Sequence, residues 1–250
     1  LEGTGAVGAI NMERLNMVFK IIDDTIAFID NVYIPDLLAI ASFYKDWGAI
    51  GGGLASTNLL SYGEFPDIAN DQSDKSLLMP RGAIIAGDLK TIHAVDLKDP
   101  TQIQEFVNHS WYKYGDETKG LHPFDGVTEP NFVLGAGTKG KKTAIDQVDE
   151  SAKYSWIKSP RFKGHPMEVG PLARYVIGYA KGMPEFKEFV EMVLKKLDVP
   201  VTALFSTLGR TAARGLEASW SAHKMKYFFN KLMANLKAGN LATANIDSWE

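Results

Sequence analysis

Residues 207–239, TLGRTAARGLEASWSAHKMKYFFNKLMANLKAG, carry an apolar stripe through Leu208, Ala212, Leu216, Trp220, His223 and Tyr227. Apolar positions recurring at three- and four-residue steps predict one long helix. Ser206 or Thr207 supplies its N-terminal cap and Gly239 its stop. An element of this length sets an axis along which the rest of the chain must pack, so the architecture is expected to be built on helices.

Five further helices are predicted, four of them in helical blocks. Asn11 caps the first, which runs to about Asn31 with Leu15, Val18, Ile22, Ile26 and Ile29 on one face. The second begins at Pro35, a residue tolerated in a first helical turn, and continues to about Trp47. Residues 171–180, with Gly182 as stop, and 184–197 form the other two. Between these blocks the texture changes. Short strands are expected over 59–62, 83–86 and 91–95, with Gly87-Asp88 as a tight connection. Asp99-Pro100 is expected to open a short helix to about His109, and residues 115–142 read as long loop. The fold class is therefore predominantly α (α+β), a long-helix bundle with small peripheral β elements and long loops. No linker or repeat divides residues 1–250, which are read as a single domain.

The composition is that of a globular chain, with 45% hydrophobic and 23% charged residues. With 27 Lys and Arg against 30 Asp and Glu the net charge is −3, and no basic stripe points to a nucleic-acid partner. No apolar run reaches the roughly 18 residues of a membrane span. The opening LEGTGAVGAINMERLN has no initiator Met and no signal-peptide pattern, so a segment of a longer polypeptide is expected. The chain has no cysteine, which removes disulfides, thiol nucleophiles and thiolate metal ligands from these residues.

The short motifs are incomplete. GAGTKGKKT, residues 135–143, has the glycine spacing of a phosphate-binding loop, but Lys142 stands after Lys141 where a magnesium-binding Ser or Thr is needed. It reads as a solvated surface loop, with no nucleotide bound. GGGLAS, residues 51–56, reads as a flexible bend. The five histidines, His93, His109, His122, His165 and His223, have no metal-ligand spacing. His223, on the apolar face of the long helix, is expected to be a packed core or interface histidine, and His165 to take a solvent or hydrogen-bonding role. Asp67, Asp71 and Asp74 lack calcium-loop spacing and are expected to cap turns. Arg161, Arg174, Arg210 and Arg214 are expected to pair with carboxylates or carbonyls, with Glu217 in reach of Arg214 three residues before it.

One stretch goes further. YSWIKSPRFKGHPMEVGPLARYVIGYAKG, residues 154–182, closely resembles the large subunit of nickel–iron hydrogenases. GTGAVGAINMERLN, NVYIPDLLAIASFYKDW, SYGEFPDIAND, LLMPRGAIIAGDL, LHPFDGVTEPNF and STLGRTAARGLEA resemble the same family in its usual order. The texture is most similar to the membrane-bound respiratory uptake group.

The resemblance implies heterolytic cleavage of hydrogen to protons and electrons at a nickel–iron centre. That centre would carry carbonyl and cyanide ligands on iron and be held by four cysteine thiolates, soft ligands suited to these metals. Electrons would leave through iron–sulfur clusters of a partner, the hydrogenase small subunit. The family's cysteines come in two C-x-x-C pairs near its ends, and neither pair is here. Its proton-transferring glutamate is expected upstream, and its APRG arginine shortly after Glu250. No metal, cofactor-binding or catalytic residue is therefore assigned within residues 1–250. The missing N- and C-terminal parts of the large subunit, and a membrane cytochrome b, are further expected partners. The location implied is the periplasmic face of the cell membrane. Within the resemblance, Arg210 and Arg214 are expected to hold a buried carboxylate, and residues 154–182 to frame the cavity or the subunit interface. The alternative is a cysteine-free, hydrogenase-like scaffold subunit of a respiratory quinone-reducing complex.

Overall fold

A computed structural model describes residues 10–53, 57–68, 71–114, 116, 118–126, 129–134, 146–148 and 153–240. Helix α1 (Met12–Phe28) starts where the sequence places it. Asn11 is extended, and its Oδ1 accepts the Arg14 N–H at 2.9 Å, satisfying one of the free donors of the first turn. The expected break before Pro35 does not occur. The chain passes through a π turn, Ile29–Tyr33, directly into α2 (Ile34–Ala41). A proline inside a helix lacks an N–H and crowds the carbonyl four residues back. The wider π turn, in which the Ile34 N–H reaches the Ile29 carbonyl, accommodates that misfit. Helix α2 stops earlier than expected, and Lys45–Ala49 forms a 3₁₀ turn.

Strands β1 (Leu59–Pro66) and β2 (Leu77–Ile84) form an antiparallel hairpin, longer than the sequence suggests. Leu59 lies opposite Ile84, and Leu60 opposite Ala83. Successive side chains leave a strand on opposite faces. Leu59 and Ile84 thus enter the main core, while Leu60 and Ala83 join Ile103, Phe162 and Met167 in a second one. The predicted strand over 91–95 is reduced to a single bridge between His93 and Ala83.

The predicted helix after Asp99 is absent. Asp99 instead closes a local turn, its Oδ1 accepting the Thr101 N–H at 2.8 Å and its Oδ2 the Gln102 side-chain amide at 3.0 Å. The chain then enters strand β3 (Ile103–Phe106), with Ile103 buried. Strands β4 (Phe132–Leu134) and β5 (Asp146–Val148) make a separate antiparallel pair, and β6 (Ser159–Phe162) lies between β3 and β7 (His165–Pro166).

Helices α3 (Pro171–Ala180) and α4 (Pro184–Leu197) have the predicted bounds. Each starts on proline, whose missing N–H costs nothing in a first turn. Leu172, Ala173, Tyr175, Val176 and Ile177 are buried, placing α3 between the hairpin, α4 and α5. Gly178 permits this approach, because a Cβ there would stand 2.5 Å from Cγ of Phe186 on α4. A 3₁₀ turn, Val201–Phe205, leads into α5 (Thr207–Lys237). Ser206 is the cap, its Oγ accepting the Gly209 N–H at 3.0 Å. Leu208, Leu216 and Trp220 of the predicted stripe are buried, but His223 and Tyr227 are exposed. Among the described residues no helix is long and apolar enough to cross a membrane.

Candidate functional site

Two stretches that the sequence analysis singles out are bolted together. Arg174 at the start of α3 meets Glu217 of α5 through two hydrogen bonds, Nε to Oε2 at 2.7 Å and Nη2 to Oε1 at 2.5 Å. Arg210 of α5 meets Glu168, just before α3, in the same two-pronged way, Nε to Oε1 at 2.7 Å and Nη2 to Oε2 at 2.6 Å. The arrangement is reciprocal: each segment contributes one arginine and one glutamate, and the two pairs run in the same order along both. A planar guanidinium facing a carboxylate with two parallel bonds fixes orientation as well as position.

The Arg174–Glu217 side chains are the more enclosed, at 17% and 18% exposure against 27% and 25% for Arg210–Glu168. Burial works against the Arg174 charge, but the Glu217 hydrogen bonds and charge, and Glu64 beyond, outweigh it and raise its pKa. Arg210 is raised chiefly by its hydrogen bonds to Glu168, against a smaller effect of burial. Arg210 also donates to the carbonyls of Gly51 and Gly52. The glycine-rich bend, for which flexibility was expected, therefore lies against α5. Gly51 has φ 78°, and a Cβ there would meet Thr207 Oγ1 at 2.0 Å. Residues 54–56 of that motif, and all of 135–143, lie outside the described residues.

The arginine expectations hold in part. Arg174 and Arg210 pair with partly buried carboxylates. Glu217 goes to Arg174 and not to Arg214, because it faces α3; Arg214 is exposed and pairs with no other described residue. Arg161 donates to the Pro160 carbonyl at 3.1 Å and lies 5.0 Å from the Phe106 ring centre.

The histidines scatter. His122 is buried, with Nε2–H on the Leu97 carbonyl at 2.7 Å and Nδ1 accepting the Phe124 N–H at 3.2 Å. Both ring nitrogens are thus used in holding one neutral tautomer and a loop. His93 packs near Phe162, His109 stacks on Tyr154, and His165 is exposed in β7. His223 is not the packed core histidine of one expectation. Its side chain is 52% exposed, and Nε2 lies 2.7 Å from Oδ2 of Asp30 in the π turn. Ser219 donates to the other oxygen of Asp30 at 2.8 Å. Sequence reasoning missed Asp30 as an anchor. Its signal was a carboxylate placed inside an apolar helical stretch, five residues before a proline.

The three aspartates diverge too. Asp67 accepts from Tyr227 and Lys231, which hold its pKa below the usual carboxylate range. Asp71 caps its own turn through the Ser73 N–H at 2.8 Å, and Asp74 pairs with Lys181 at 2.6 Å. Only Asp71 follows the turn-capping expectation, and among the described residues the three carboxylates belong to no group that could hold a metal.

A nickel–iron centre needs a convergent set of soft donors. The chain has no cysteine, and among the described residues no group of three or more His, Asp or Glu could hold a metal. The residues present do not fit that group. The Tyr175 hydroxyl and the Trp111 indole N–H are buried without a partner among the described residues. Burial, then the charges of Glu217 and Glu185, push the Tyr175 phenol well up, so it stays neutral beside the clamp.

Comparison with known proteins places this framework. The chain is 64% identical over its full length to the uptake hydrogenase large subunit of Rhizobium leguminosarum bv. viciae, and 62% to that of Bradyrhizobium diazoefficiens. It is 54% identical to the hydrogenase-1 large chain of Escherichia coli K12. In each case it spans 42% of the relative's length. The reduced Ni-Fe-Se hydrogenase of D. vulgaris Hildenborough superposes with a TM-score of 0.61 at 26% identity, covering 94% of this chain and 42% of that one. A Dm. baculatum NiFeSe hydrogenase shares the fold at a TM-score of 0.62 and 23% identity, covering 96% and 43%. The family model for nickel-dependent hydrogenase matches residues 3–250, and with that match and those identities the chain belongs to the nickel-dependent hydrogenase family.

Proposed function

We propose that these residues are the middle part of the large subunit of a nickel–iron uptake hydrogenase. The subunit oxidises H2 to two protons and two electrons, which pass to iron–sulfur clusters of a small subunit. The observation that carries this reading is identity of 62–64% over all 250 residues to uptake hydrogenase large subunits. The metal centre, with CO and CN on iron, is held by cysteines outside residues 1–250. The role of this segment is to form the packed frame beside it, with the reciprocal Arg–Glu clamps fixing α3 against α5. Residues 1–250 are one domain of that subunit. The complex sits on the periplasmic face of the cell membrane and delivers electrons to a membrane cytochrome b. The relatives' names favour this over a cysteine-free scaffold subunit.

The test uses the complete polypeptide carrying these residues, purified with its small subunit. Stoichiometric nickel and hydrogen-dependent reduction of a viologen dye are expected. A complete polypeptide without cysteine-bearing ends, free of nickel and inactive with hydrogen, overturns the reading.

A further inference from the structure

His122 is buried, at 7% exposure, where a loop returns to the edge of β3. The backbone before it is fixed. Leu121 and Glu105 of β3 exchange N–H to carbonyl hydrogen bonds in both directions, at 2.8 and 3.2 Å. The backbone after it curls into a turn, with the Asp125 and Gly126 N–H groups both on the His122 carbonyl at 2.9 Å. Between these anchors stands Phe124, 87% exposed, whose N–H donates to His122 Nδ1 and whose ring stacks on the imidazole at 5.3 Å between centres. With so little of Phe124 covered, the imidazole is its main support.

The two ring nitrogens play opposite parts. Nε2–H donates to the Leu97 carbonyl at 2.7 Å, and Nδ1 accepts the Phe124 N–H at 3.2 Å. A carbonyl cannot donate, so Nε2 carries the proton; a backbone N–H cannot accept, so Nδ1 is bare. A second proton, on Nδ1, sets two donors against each other. The bond from Nε2–H to Leu97 survives that proton and is strengthened by the charge. Protonation thus removes one of the ring's two bonds and spares the other.

The charged and titratable groups on the segments around the ring have other engagements. Beside Leu97, Asp96 accepts the Lys98 N–H at 2.9 Å. On the β3 side Glu105 pairs with Lys158 at 3.4 Å, and the Tyr114 hydroxyl donates to the Glu105 carbonyl at 3.3 Å. Asp116 pairs with Lys119 at 3.2 Å, and Asp125 lies in the turn itself. Among the described residues the ring is bonded to Leu97 and Phe124, and to none of these carboxylates.

We propose that His122 is a proton-operated catch on the 122–126 loop: the neutral ring holds Phe124, and the protonated ring keeps Leu97 and lets Phe124 go. The closed loop leaves Nδ1 bare and the open loop binds one proton there, so falling pH favours opening and rising pH favours closure. The catch uses no metal and no hydrogen chemistry, so it stands apart from the function proposed above.

Amide hydrogen exchange, resolved to single residues in the complete polypeptide produced with its small subunit, tests it from about pH 8 to pH 5, the interval in which histidine changes charge. Rates are taken relative to the intrinsic rate at each pH. Phe124 is expected to lose protection as pH falls, by up to about tenfold per pH unit for one proton, while Asp125 and Gly126 keep theirs. Constant protection of Phe124 overturns the proposal. So does a joint loss at all three amides, which would mean that the whole turn melts. His122→Asn retains an acceptor oxygen but cannot take the proton. Its Phe124 protection is expected to be flat over the same range, and an unchanged pH dependence overturns the proposal. Where that variant does not assemble, the wild-type comparison of Phe124 with Asp125 and Gly126 decides alone.

Discussion

The two halves of α5 share one backbone and differ in surroundings. From Thr207 to about Ala222 the helix is enclosed by α2, α3 and the 3₁₀ turn before it, and it carries both clamps. From His223 onward Met225, Tyr227 and Leu232 are exposed, and contact is mainly with α1 through polar pairs and rings. Both halves carry apolar side chains at helical spacing. Whether an apolar stripe becomes core depends on whether its complement lies in the same stretch of chain. The first half finds it within residues 1–250, and the second meets α1 and the Phe65–Asp67 stretch mainly through rings and polar pairs.

Substitutions can break that comparison. Trp220→Ala, at 3% exposure, is expected to destabilise by about 3–5 kcal/mol, while Tyr227→Ala in the open half costs about 1 kcal/mol or less. Urea unfolding of the 250-residue chain measures both, and equal losses would mean that the two halves are not differently packed. Next come the clamps. Arg174→Met leaves Glu217 partly buried and unpaired, for about 2–4 kcal/mol, and Arg210→Met in the more open pair costs about 1–2 kcal/mol. A double-mutant cycle with Glu217→Gln should return a coupling for Arg174 and none for Arg214. Gly178→Ala drives a methyl into the root of the Phe186 ring, for about 1–3 kcal/mol by thermal melting.

The smallest effect is on the acid side, where Asp67 tethers the open half of α5. Its folded pKa is depressed by Lys231 and Tyr227. Its contribution is therefore present above the unfolded carboxylate pKa and is lost as pH falls through the lower folded value. Asp67→Asn should flatten the acid limb of a stability–pH curve and leave the slope above pH ~5 unchanged. A changed slope at neutral pH would assign the tether to another group.

Local signals were legible where they acted locally. Asn11, Ser206 and the prolines opening α3 and α4 marked helix starts because a cap needs only its own first turn. The failures came where a distant partner decided. Asp99-Pro100 looked like a helix start, but pairing of β3 with β6 and the Asp99 turn made that stretch extended. Spacing suggested Glu217 for Arg214, but the direction of α3 gave it to Arg174. Asp30 looked like an ordinary helix residue, since nothing in its neighbourhood announced Ser219 and His223. For the site the limit is chemical: residues 1–250 hold no cysteine, so only the frame could be read here.

The antiparallel contact of α1 with α5 has a consequence for synthesis. Its polar pairs join residues 193 and 203 positions apart. At about 5–20 residues per second, α1 leaves the ribosome some 10–40 s before the helix it rests on exists. Through that interval Phe19 lacks its ring neighbour Phe229, and Asp23 its partner Lys226. Chaperone occupancy on nascent chains should therefore begin at α1 and fall only after α5 has emerged.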